Sequence, residues 1–180
     1  MYLIEWDLLL LDSLERLYSH VPSEAIAVTA RFLLKEVEHE WGWTTREPYK
    51  SQWGELLTVV EKKYDYKNEP FASLGPGTCY SRSFIEQYSG VDVPEIACDE
   101  QRVPLFAHCF GIPVFDTNFR KTWNDRDDLQ YFNCQNYEIP PNAIRAELAR
   151  ADGRRAFHPF RQLYEAGRPI SGSDFLATKG

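Results

Sequence analysis

The feature that most constrains the fold of this chain is a change of texture near residue 65. Before it, apolar side chains recur at helical spacing with few turn formers. After it, Asn68-Glu69-Pro70 and Gly75-Pro76-Gly77 punctuate the sequence, and short β-prone runs replace the periodic stretches. A chain of 180 residues with 43% hydrophobic and 14% aromatic residues is long and apolar enough for one core of ordinary depth. The expectation is therefore an α+β protein. Its helical part spans residues 1–66 and its mixed part residues 67–180, the two forming one compact domain.

In the first part, Leu3, Ile4, Trp6, the leucines at 8–11, Leu14, Leu17 and Tyr18 predict a largely buried helix over 2–20. Pro22-Ser23-Glu24 reads as a helix start, with Ser23 as cap and Ile26, Val28, Phe32, Leu33 and Val37 on the inner face. That second helix is expected to run to Glu40. A third begins near Pro48, with Trp53, Leu56, Leu57, Val60 and Tyr64 along one side.

In the second part, the 75–77 turn is expected to deliver Cys79 to the start of a helix over 79–88. Runs 103–110, 112–115 and 129–134 read as strands of a small antiparallel sheet. Pro140-Pro141-Asn142 opens a helix to about Ala151, with Ile144 and Leu148 inward and Arg145 and Glu147 outward. A short helix over 159–166 follows, then a small, polar tail from Ser171.

The net charge of −7 argues against a nucleic-acid partner, which calls for a concentrated excess of Lys and Arg, and suits a basic protein partner. The Leu8–Leu11 run lies between Asp7 and Asp12, so neither a signal peptide nor a membrane span is expected. A cytoplasmic location follows, where the dispersed Cys79, Cys98, Cys109 and Cys134 stay reduced. The residues leave the oligomeric state open.

Two groups of residues suggest chemistry. A thiol at a helix start meets unpaired N–H groups and the positive end of the dipole, so Cys79 is a candidate nucleophile for acyl or related transfer. His108 or His158 would be its base, and Asp116 or Asp99 would orient the imidazole. This order, cysteine at a helix start and histidine later, resembles the papain-like amidases over about a dozen residues. The spaced second and third motifs of such families are absent, so no family is assigned. The alternative is a packed core thiol.

The second group is Arg150, Arg154, Arg155, His158 and Arg161, with Phe157 and Phe160 between them. It could grip a nucleotide, an RNA backbone or an acidic surface, or pair with the acidic N-terminal segments. Metal-ligand spacing such as C-x2-C does not occur, and neither a metal nor another cofactor is expected. Glu36, Glu38, His39 and Glu40 read as a solvated helix face. Asp116 with Asp125, Asp127 and Asp128 is a weaker nuclease-like reading. The leading expectation is an acidic protein-binding protein of inhibitor or immunity type that masks a site on another protein. The alternatives are a thiol hydrolase or transferase and, more weakly, a nucleotide or RNA binder.

Overall fold

A computed structural model describes residues 1–2 and 4–162. In chain order the elements are β1 (Leu9–Leu10), α1 (Leu14–Leu17), β2 (Ile26–Leu33), α2 (Leu34–Val37), α3 (Gly42–Thr45), α4 (Tyr49–Tyr64) and β3 (Phe71–Cys79). They continue with α5 (Arg82–Tyr88), α6 (Asp99–Cys109), β4 (Val114–Asp116), α7 (Arg126–Leu129), α8 (Pro141–Leu148) and β5 (Ala156–Phe157). The class is α+β. β2 is the middle of a three-stranded sheet, antiparallel to β3 and parallel to β4, and β1 pairs antiparallel with β5. Among the described residues no helix is long and apolar enough to cross a membrane.

The third expected helix forms as α4, with Trp53, Leu56 and Val60 buried on one face. The first two expected helices do not form. Among the described residues of 2–20, regular structure is limited to β1, a bridge from Tyr2 and the single turn α1, capped by the Ser13 hydroxyl. Residues 26–33 are a strand because Ile26, Val28, Thr29 and Phe32 suit an extended backbone, and the first five residues are buried as befits the centre of a sheet. Only the one-turn α2 follows before Glu40.

The glycine-proline motif is not a turn into a helix. It lies inside β3, between the pairs Thr29↔Leu74 and Ala27↔Cys79, where β3 carries extra residues as an irregularity in the ladder. Pro76 has no N–H to give, but its carbonyl accepts from Thr29 Oγ1 and that of Gly77 from Tyr18 Oη, each at 2.7 Å. Gly77 has φ +84°, and a Cβ there would lie 2.7 Å from the Phe119 ring.

Residues 103–110, expected as a strand, are the body of α6 and its C-cap Phe110. Gln101 to Ala107 are all buried, so no amphipathic period betrays the helix. Pro104 leaves the Glu100 carbonyl without its helical partner, and the Ser73 hydroxyl donates to it instead at 2.7 Å. This bond ties the first turn of α6 to β3. Of the other expected strands, 112–115 yields β4, whereas 129–134 starts at the end of α7 and contributes only a bridge from Phe132 to His158.

α8 forms as expected with Ile144 buried, but Glu147 faces inward, accepting from the Arg154 N–H at 2.8 Å. Half of the helix expected over 159–166, and all of the tail from Ser171, lie outside the described residues; Pro159 to Gln162 are not helical. The main core joins β2, α4, α5 and α6 through Ile26, Leu56, Val60, Phe84 and Phe106. Smaller clusters, one around Phe132 and one of Ile139, Ile144 and Phe157, underlie the C-terminal part.

Candidate functional site

Cys79 is the last residue of β3, paired with Ala27 and bridged to Tyr2, rather than the first of a helix. The cap of α5 is Ser81, whose hydroxyl accepts from the Phe84 N–H. Burial pushes the Cys79 thiol up, only partly offset by the N-terminal ammonium. His108 lies on α6 with Nδ1 3.2 Å from Tyr66 Oη, packed on Phe71, and burial lowers its pKa. Asp116 ends β4 and accepts from the N–H groups of Arg31 and Asn118. Its carboxyl pKa is raised by burial. Asp99 opens α6. Among the described residues no hydrogen bond joins Cys79 to a histidine.

The arginines are engaged within the fold. Arg150 pairs with Glu147 and Asp152, Arg154 with Asp128, and Arg161 with Asp7. Arg155 donates to the carbonyls of Glu147, Arg150, Gly153 and Arg154. Their role is to knit the 147–161 segment to its neighbours.

What the fold does bring together is a group of acidic residues that sequence reasoning missed. The β1–β5 pairing lays the N-terminal segment along residues 156–160, and the Phe160 N–H donates to the Asp7 carbonyl at 2.7 Å. A turn closed by the Leu8 N–H on the Glu5 carbonyl sets the backbone of 5–8. His158 Nε2 then stands 3.3 Å from Asp7 Oδ1 and 3.5 Å from Glu5 Oε2, and Nδ1 is 2.7 Å from the Asn133 carbonyl oxygen. Asp7 and His158 are buried, and Glu5 is half-buried. Burial opposes a charged His158 ring, but the Glu5 carboxylate, the Asn133 carbonyl and Asp7 outweigh it and raise the pKa.

Beside this group opens a cleft of about 540 Å³ walled by Trp41, Trp43, Tyr49 and Trp123, with Glu100 and Arg120 in its lining. Gly75 lets the two features meet, since a Cβ there would stand 3.2 Å from Glu5 Oε1 and 3.6 Å from Glu100 Oε1. Glu100 accepts from the indole N–H of Trp43 and, at 3.0 Å, from the N–H of Gly75. The buried Trp41 N–H has no aligned hydrogen-bond partner, yet it lies toward this carboxyl group and helps to hold its charge. Burial nonetheless raises the Glu100 pKa, and the like charge of Glu5 adds to the rise. No described cation forms an ion pair with Glu100. The close spacing of Trp41 and Trp43 was a visible signal of this wall; Glu100 carried none.

Comparison with protein-family models, characterised proteins and solved structures finds no significant match. The functional reading rests on the geometry alone.

Proposed function

We propose that this protein is a protein-binding protein whose tryptophan-walled cleft receives a basic side chain of its partner and masks it. The carrying observation is Glu100, a carboxyl group held by N–H donors in the cleft lining, with a second carboxylate nearby and no described cation paired with it. Such a group favours a ligand that brings positive charge. Aromatic faces add cation–π attraction, and the wall already seats one guanidinium, Arg120, 5.9 Å from the Trp123 ring centroid. A guanidinium or ammonium group gains both interactions at once, and the net charge of −7 speeds encounter with a basic partner. The thiol-enzyme reading lacks comparable support, because Cys79 has a raised pKa and no described histidine bonded to it.

Tryptophan emission provides the assay, since three indoles line the cleft. Arginine-containing peptides should perturb it saturably, and the same peptides with citrulline should not. Glu100→Gln removes one charge-assisted contact, worth about 1.5–3 kcal/mol, so it should weaken the arginine peptide by roughly ten- to a hundredfold. Equal binding of arginine and citrulline peptides would refute the proposal.

A further inference from the structure

We infer that Glu5, Asp7 and His158 form a binding site for a divalent first-row transition metal ion of the zinc type. This rests on those three groups; Glu5 is also the carboxylate near Glu100 in the cleft, whereas Asp7 and His158 take no part in the cleft reading. One ligand atom from each lies within 4.8 Å of the others. An imidazole nitrogen with two carboxylates is a donor set that suits such ions better than it suits hard cations, which take oxygen alone.

The spacing carries the inference. A charge-assisted hydrogen bond from a protonated ring to a carboxylate closes to about 2.7–2.9 Å. Here Nε2 stands at 3.3 Å from Asp7 Oδ1 and 3.5 Å from Glu5 Oε2. Two ligands each about 2.0–2.2 Å from a shared tetrahedral ion stand roughly 3.3–3.6 Å apart. Both imidazole–carboxylate spacings match that of ligands sharing one ion, and the two carboxylates lie within 4.8 Å of each other.

The support of the ligands is of the kind metal sites use. The Asn133 carbonyl oxygen lies 2.7 Å from Nδ1, so a proton held there turns the Nε2 lone pair toward the carboxylates. Arg161 grips Asp7 through Oδ2 at 3.1 Å, leaving Oδ1 on the His158 side. The Phe160 N–H fixes the main chain of Asp7. Glu5, with its side chain 38% exposed, provides the way in from solvent, while the Asp7 and His158 side chains are 6% and 8% exposed.

The test is titration of the full chain, stripped with chelator, with Zn²⁺ by calorimetry and with Co²⁺ by visible absorption. The expected result is one ion per chain, with tetrahedral cobalt bands and no thiolate charge-transfer band. Glu5→Gln should weaken binding by about tenfold or more. Because Glu5 is half-buried, this variant should keep its circular dichroism, whereas Asp7→Asn risks the fold. Three results would overturn the inference: no binding up to millimolar Zn²⁺, unchanged affinity in a folded Glu5→Gln protein, or a cobalt–thiolate band marking a cysteine site.

Discussion

Replacing Asp128 by asparagine should destabilise the protein more than any exposed charge change, and the structure gives the size of the effect. Asp128 Oδ2 accepts from the Lys121 N–H at 2.9 Å, the Thr122 N–H at 2.6 Å and the Thr122 hydroxyl at 2.8 Å, while Oδ1 meets the Arg154 guanidinium. The side chains of Asp128 and Arg154 are 5% and 17% exposed. An asparagine amide must turn its –NH2 either toward the guanidinium or toward the two backbone N–H groups, so donor faces donor in both orientations. Removing one partner of a buried ion pair costs about 3–5 kcal/mol. For a chain of this length that lowers Tm by about 10 °C. Chemical denaturation at pH 7 and calorimetry are the assays.

The same pair sets a pH signature. Burial raises the Asp128 pKa, but the Thr122 hydroxyl and Arg154 outweigh it and hold the carboxyl below its ordinary value of 3.8. A carboxylate with a depressed folded pKa stabilises the fold above the unfolded pKa and loses that contribution as pH falls through the folded pKa. The gap between parent and Asp128→Asn should therefore be widest near neutral pH and narrow below about pH 4. Arg154→Met leaves Asp128 its three other donors and should cost less than Asp128→Asn. An Asp128→Asn protein within about 1 kcal/mol of the parent at pH 7 would refute this reasoning.

Other substitutions separate buried from exposed features. Gly153→Ala places a Cβ 1.8 Å from the Glu147 carbonyl oxygen, a backbone clash that must displace the 153–155 segment; denaturation should show a loss of about 3 kcal/mol or more. Trp6 is 80% exposed, so Trp6→Ala should stay within about 0.5 kcal/mol of the parent in the same assay, despite the Arg161 guanidinium over its ring. The Cys79 thiol is pushed up by burial, so alkylation followed by mass spectrometry should show no preferential labelling near neutral pH. Fast, selective labelling there would restore it as a nucleophile.

Some of this fold was written locally. Pro48 followed by Trp53, Leu56 and Val60 at helical spacing dictates α4, and Pro140-Pro141-Asn142 dictates the start of α8, because capping, proline geometry and an amphipathic period all act within a few residues. Where a segment is buried all round, that signal vanishes. α6 reads as a strand for this reason, whereas the apolar positions of β2 also fit a helical spacing and read as a helix; only their neighbours decide: β3 and β4 flank one, and Ser73 rescues the carbonyl that Pro104 strands in the other. The Gly75-Pro76-Gly77 signal was real, but its use as an irregularity within a strand depends on Thr29 and Tyr18 reaching its carbonyls. The acidic site lay furthest from view. Arg161 and Asp7 are 154 residues apart in the chain. Local preference carries no information over such a distance; the pairing of β1 with β5 brings the two together and places ligand atoms of Glu5, Asp7 and His158 within 4.8 Å of one another.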